Sequence, residues 1–299
     1  MKKIIKKFLK KMNVFDLLQY AHIYIKYMYK KIFVNAISSK EKCIQKRFRK
    51  KLGYEIDFSK KPKTFNQKIQ FRKLYDDNPL YSICADKYRV REYVKEKIGE
   101  EYLIPLYLVT DELTLSQWNE LPDSFVAKAN HNSGPVQIVK NKNATNPEKV
   151  INELRRQLRI DYGVLTSERY YSRIPKKIIV EKFLKDDIED YKFHCFKNKI
   201  FLERITREGL GSMYDVDKWE NLQFSIGYEV DSHLYNKPKN FEKMVILARK
   251  LSEDFDYVRV DFYNIDGKIY AGELTFCDSS GFGKFTDEKW DYEFGEYWS

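Results

Sequence analysis

Residues 258–276, VRVDFYNIDGKIYAGELTF, carry two carboxylates and a guanidinium on what reads as a strand pair. Val258, Val260, Phe262, Ile269, Tyr270, Leu274 and Phe276 favour strands, and Asn264, Asp266 and Gly267 favour a turn. Side chains alternate faces along a strand, so Arg259 and Asp261 share a face, as do Ala271, Glu273 and Thr275. A three-residue turn over Ile265, Asp266 and Gly267 sets Asn264 opposite Lys268. That register puts Arg259 opposite Glu273 and makes Asp261 and Glu273 diagonal neighbours, about 7–8 Å apart. Two such carboxylates repel unless a cation lies between them, and Mg²⁺ with phosphate oxygens suits them. A hairpin with its charges facing water fits the same residues.

Other residues along the chain suit a phosphate. Lys128 follows the apolar Phe125, Val126 and Ala127 in a strand, where a buried lysine needs an anionic partner. Asn132, Ser133 and Gly134 follow in a small polar loop whose backbone N–H groups could cap a phosphate; ordinary hairpin loops look alike. Lys87, near a helix start, either reaches a phosphate or is solvated. Glu181 ends the apolar run IIVEKFL and could accept bonds from a ribose or adenine, or pair with Lys182. Asp190 and Lys192 flank Tyr191 on one strand face, for an ion pair or for ligand. Arg204 and Arg207 precede REGLGS and are candidates for an acidic acceptor. Walker A, Rossmann and G-x-S-x-G patterns are absent.

The elements that must hold these residues follow from periodicity. Helices are expected over much of residues 51–120, with a strand at IPLYLV and a short helix or turn at Leu113–Leu121. SFVAKAN and PVQIVKN form a hairpin, residues 147–159 a helix, KKIIVEKFL a buried strand, and DYKFHCFKNKIFLERIT two strands around Lys197–Lys199. A helix at 240–254 precedes the first-named hairpin, and Gly281–Ser299 has no clear assignment. The order suggests an α+β enzyme.

The 43% hydrophobic content of the 299 residues suits a globular chain. Its charge of +11 is uneven: residues 1–50 hold 15 Lys and Arg against Asp16 and Glu41, and the remainder is nearly neutral. A folded nucleic-acid binder carries its charge on the domain, so no nucleic-acid partner is expected. MKKIIKKFLKKMN and the following apolar and Tyr residues read as an amphipathic helix on an anionic membrane surface, through residues 1–40. Packing on the protein's own body is the alternative, and RNA contact a weaker third. The scattered Cys43, Cys84, Cys195 and Cys277 suggest neither zinc nor disulfides, and a reducing cytosol. The four His form no ligand pattern.

KTFNQKIQ, ADKYRVREYV with IGEEYLIPL, LPDSFVAKANHNSG, VEKFL with DYKFHCF, and VRVDFY…GELTF stand in an order that resembles the ATP-grasp superfamily. Within it the chain is similar to the TupA-like, teichuronopeptide-biosynthesis family, from about Lys51 to the C-terminus. The resemblance implies an α+β ATP-grasp fold, two subdomains sandwiching the nucleotide behind a helical N-terminal extension. The implied division is an arm (1–50), a helical cap (51–120), a small subdomain (121–186) and a large subdomain (187–299). It implies ATP and Mg²⁺ as cofactors. Lys87, Lys128 and Lys192 with the Asn132–Gly134 loop would hold nucleotide, and Glu181 would sit near adenine and ribose. Asp261 and Glu273 would bind metal, with Thr275 where many relatives carry Asn, and Arg259 with Lys128 would act on the γ-phosphate. The implied activity is carboxylate–amine ligation through an acyl phosphate in bacterial surface-polysaccharide assembly. The acceptor would be an acidic glycan or uronic acid, lipid-linked in one version, and the second substrate an amine. The location would be the cytoplasmic face of the membrane. A glycosyltransferase of the same pathway and a non-catalytic membrane scaffold are the rivals.

Overall fold

A computed structural model describes residues 14–34 and 37–298. The basic stretch MKKIIKKFLKKMN lies outside them. Two helices open the chain, α1 (Val14–Phe33) and α2 (Ile37–Leu52). Three more follow, α3 (Phe65–Tyr75), α4 (Pro79–Cys84) and α5 (Val90–Lys97). Thr64 and Gln67 close α3's N-terminus by a reciprocal capping box, so the T-x-x-Q of KTFNQ starts the helix.

The next unit is a four-stranded antiparallel sheet with helices α6 (Leu115–Glu120), α7 (Pro147–Leu158) and α8 (Tyr162–Thr166). Its strands are β1 (Leu106–Thr110), β2 (Phe125–Ala129), β3 (Gln137–Val139) and β4 (Ile178–Lys182), in the order β1-β4-β2-β3. Trp118, Phe125, Val139, Leu154 and Val180 form its core. β1 pairs with β4, and Trp118 of α6 packs in this sheet's core, so the small unit begins before residue 121.

The large sheet holds β5 (Glu189–Phe196), β6 (Ile200–Ile205), β7 (Leu210–Asp215) and two short strands, β8 (Glu220–Asn221) and β9 (Glu229–Val230). After α9 (Phe241–Ser252) come β10 (Tyr257–Ile265) and β11 (Lys268–Thr275), and the sheet runs β11-β10-β5-β6-β7-β8. One face presents Phe193, Val258, Val260 and Phe262 to α9; Phe193 and Phe241 stack at 6.3 Å. Alternation therefore turns Arg259 and Asp261 to the other face. Residues 289–297, unassigned from sequence, form α10 (Lys289–Tyr297). Gly295 lets it dock: a Cβ there would lie 2.0 Å from the Lys63 carbonyl oxygen.

The β10–β11 hairpin departs from the expected register. Ile265 pairs with Lys268 across a two-residue turn, with Asp266 and Gly267 both at positive φ, 54° and 95°. Asp-Gly suits such a turn because its backbone twist matches the strands. A bulge at Gly272 then shifts the pairing, so Asp261 lies directly opposite Glu273 and Arg259 opposite Thr275. The two carboxylates are thus closer than the diagonal relation the three-residue turn implied.

Candidate active site

Arg259 is the hub of the polar face. Its Nε donates to Asp261 Oδ1 at 2.7 Å, and one terminal nitrogen donates to Asp261 Oδ2 at 2.6 Å, Glu273 Oε1 at 3.0 Å and Thr275 Oγ1 at 3.2 Å. The other terminal nitrogen donates to Asp278. The Thr275 hydroxyl donates to Glu273 Oε1 at 2.9 Å. Lys192, opposite Asp261 on β5, lies 3.8 Å from Asp261 Oδ2 and bonds Asp190. On the same face, buried His194 accepts or donates at Tyr257 Oη, 3.1 Å away, and its Nε2 lies 3.5 Å from Glu203.

Burial and charge set the protonation here. Burial pushes Asp261 up to about 7, against the pull of Arg259 and Lys192. Burial also pushes Glu273 up, but Arg259, Lys87, the Thr275 hydroxyl and Lys192 outweigh it and hold Glu273 below the ordinary carboxylate range. Glu273 keeps 39% of its side-chain exposure, so it faces open space, whereas Asp261 is 4% exposed. Two carboxylates and a hydroxyl make an all-oxygen donor set of the kind Mg²⁺ takes. A cation bound at the pair would offset part of the cost that burial places on the Asp261 charge.

The small sheet supplies the facing groups. Lys128 on β2 and Glu181 on β4 pair at 2.6 Å, because Val126 lies opposite Glu181 and Lys128 is two residues on, over the same face. Glu181 is 6% exposed, and Arg91 of α5 stands 3.6 Å away. The partner anticipated for it, Lys182, is exposed. Lys87 bonds the Asn132 carbonyl, and its backbone N–H donates to Asn130 O at 3.1 Å. Asn130 in turn donates to Asp86 at 2.8 Å, which ties the turn before α5 to the end of β2. Within the loop, Gly134 N–H donates to Asn132 Oδ1 at 3.2 Å, and Ser133 is exposed. Burial lowers the Lys87 amine, and the charges of Glu273, Lys128 and Glu181 all reach it.

The two halves meet at a narrow cleft lined by Lys87, Arg91, Glu181, Gly272 and Glu273. Helix α3 anchors the chain beyond β11. Gln70 donates to Gly281 O at 2.7 Å, Lys73 to Ser280 O at 3.1 Å, and Arg72 to Phe276 O at 3.1 Å. Ser279 and Ser280 there both adopt left-handed backbone, a conformation that costs energy and persists only where surrounding bonds hold it.

Arg204 and Arg207 are not part of this assembly. Glu203 pairs with Lys192, so Arg204 points to the opposite face of the sheet, where it lies over the Tyr235 ring at 4.3 Å. Arg207 is exposed beside Asp187. Three residues of the assembly carry no mark in the sequence reading. Arg91 is the clearest of them, since it stands four residues after Lys87. Asp278 and Asn130 become visible only through their contacts, with Arg259 and with Asp86.

A TupA-like ATPgrasp family model matches residues 67–299. No curated protein matches by sequence. Among solved structures, D-alanine–D-alanine ligase from Helicobacter pylori is 18% identical, with a TM-score of 0.43 over 77% of this chain and 67% of that one. The Bacillus anthracis enzyme, complexed with ATP, is 17% identical, with a TM-score of 0.38 over 64% and 53%. N5-carboxyaminoimidazole synthetase from Staphylococcus aureus, complexed with ADP, is 12% identical, with a TM-score of 0.36 over 64% and 44%. The chain thus spans between 44% and 67% of the length of these structures.

Proposed function

The chain belongs to the TupA-like ATP-grasp family, and from that premise we propose that it is an ATP-dependent carboxylate–amine ligase. The observation that carries this reading is the convergence of Lys87, Arg91, Glu181 and Glu273 on one cleft, with Lys128 paired to Glu181 on the small sheet and Arg259 and Asp261 networked with Glu273 on the large one. Lys87 and Lys128 bind the phosphates, with the Asn132–Gly134 loop over them, and Glu181 and Arg91 border the nucleoside side. Asp261, Glu273 and Thr275 would hold Mg²⁺, which when bound offsets charge on the phosphates. Arg259 leaves its carboxylate partners in part to meet charge on the transferring γ-phosphoryl group. A carboxylate oxygen of the acceptor attacks that phosphorus, ADP leaves, and the acyl phosphate forms. An amine then attacks the acyl carbon, the amide forms and phosphate leaves. We place the reaction in surface-polysaccharide assembly, with a uronic acid of an acidic, lipid-linked glycan as acceptor.

Nucleotide choice tests this against a sugar-nucleotide transferase. Mg-ATP raises the melting temperature and UDP-glucose does not. The Mg-dependent part grows as pH rises from 6 to 8, because metal takes the ionised Asp261 and must displace its proton below about 7. The Asp261→Asn protein shows no such pH trend. A shift with UDP-glucose alone would favour the transferase.

The arm suits the cytoplasmic membrane surface. Among the described residues no helix is long and apolar enough to cross a membrane. α1 nevertheless exposes Leu18, Ile25, Tyr29, Ile32 and Phe33, with Ile25 at 68% and Ile32 at 61% exposure, beside Lys26 and Lys31. An apolar stripe flanked by lysines fits an anionic bilayer. The full chain is expected to float with phosphatidylglycerol vesicles, and the Ile25→Asp/Ile32→Asp variant to stay in solution. Equal flotation of both proteins rejects this role for α1.

A further inference from the structure

A cavity of about 580 Å³ lies between α1, the Asn132–Pro135 loop, α7 and α8, apart from the carboxylate cleft. Its volume is that of a small-molecule site. Its wall combines two aromatic rings, Tyr20 and Tyr162, with the amides of Gln19 and Asn152, Lys149, and the guanidinium of Arg156, whose 3.5 Å contact with Glu153 on the same wall a ligand carboxylate would replace. Amides both donate and accept, as sugar hydroxyls require. Aromatic faces cover the apolar C–H side of a pyranose, and a guanidinium recognises a carboxylate in two-point fashion.

The cavity connects with the proposed reaction centre through two groups. Asn132 belongs to both sites: its carbonyl takes the Lys87 amine, and its side chain donates to Gln157 Oε1 at 3.2 Å. Tyr162 packs edge-on against Tyr171 at 4.9 Å, and the charge of Glu273 reaches both phenols. The outer wall is α1, fastened by Lys30 to the Leu165 carbonyl at 2.6 Å and by Arg156 over the Tyr20 ring at 5.7 Å. α1 thus lines the cavity on one side and shows its apolar stripe on the other.

We propose that this cavity is the acceptor-recognition site and takes an acidic saccharide, its rings against Tyr20 and Tyr162 and one carboxylate, other than the reacting one, on Arg156. This rests on the ligase reading. The N-terminal helix is then part of substrate recognition, and a glycan held on a membrane lipid enters beneath it. Arg204, on the far face of the large sheet, and Arg207, exposed in the turn after β6, have no part in it.

Calorimetric titration of the full chain with trigalacturonate and with a hyaluronate tetrasaccharide tests the assignment, with maltotriose as the neutral comparison and Mg-ATP as a separate titrant. At least one acidic oligosaccharide is expected to bind saturably and maltotriose at least tenfold more weakly. Arg156→Gln and Tyr20→Ala each weaken acidic-oligosaccharide binding at least tenfold and change Mg-ATP affinity less than twofold. Failure of the wild-type chain to bind either acidic oligosaccharide, equal binding of maltotriose, or wild-type affinity in both variants overturns the assignment. If Mg-ATP binds normally while the saccharides do not, the acceptor site is wrong and the ligase reading stands; if saccharides bind and Mg-ATP does not, the cavity is a saccharide site but the ligase reading, and with it the acceptor role, fails.

Discussion

Changing Asp261 to Asn and Glu273 to Gln together is expected to lower acceptor-dependent ATP turnover by about 1,000-fold or more, with the fold intact. The substitutions keep the volume of both side chains and remove the two charges that would hold metal. Each carboxylate also bonds Arg259, so each single change leaves Arg259 one charged partner fewer but still joined to Asp278. Retained circular dichroism and melting within a few degrees, with turnover gone, is the expected pattern. Glu273→Gln alone should cost most of the effect, because Glu273 is the partly exposed member facing the cleft. Turnover within tenfold of wild type in the double variant would remove the metal assignment.

Arg259→Met is expected to damage both stability and activity. Arg259 offsets three buried or half-buried carboxylates, Asp261, Glu273 and Asp278. Deleting one partner of a buried ion pair leaves uncompensated charge and costs about 3–5 kcal/mol. Urea denaturation should register a loss of that size at pH 8. The loss should shrink as pH falls, because protonating the stranded carboxyls removes their repulsion; Asp261, already pushed up to about 7 by burial, takes a proton first. Arg259→Lys should rescue little, since a single ammonium cannot span Asp261 bidentately while reaching Asp278. A stability loss under about 1 kcal/mol in Arg259→Met, the range of an exposed ion pair, would show that the network is not holding charge as described.

The polar hairpin was legible in part, because alternation puts Arg259 with Asp261 on one face of their strand and Glu273 with Thr275 on one face of theirs. Its register was not. The Asp266-Gly267 pair signals a two-residue turn, but the bulge at Gly272 offsets the pairing by a residue and depends on how closely β11 approaches the Asp261 carbonyl. A Cβ on Gly272 would lie 3.0 Å from that oxygen, a contact that no periodicity records. The Lys128–Glu181 pair arises from β2 and β4 lying side by side although far apart in the chain, so Lys182 looked the nearer partner. Arg91 was within reach of sequence reasoning, because a helix following Lys87 brings a residue four positions on toward the same side. β1 joined the small sheet through its pairing with β4, which local pattern cannot show. The C-terminal helix was hidden by its Gly and aromatic content; Gly295 disfavours a helix locally and is required by the Lys63 contact.

The central claim is that one nucleotide–magnesium complex bridges the two sheets. A crystal structure of the chain with Mg²⁺ and a non-hydrolysable ATP analogue tests it most directly. The account predicts metal between Asp261 and Glu273, β- and γ-phosphates within hydrogen-bond reach of the Lys87 and Lys128 amines, and Arg259 turned toward the γ-phosphate. Nucleotide bound elsewhere, or phosphates in the cleft with the metal held away from both carboxylates, would contradict it.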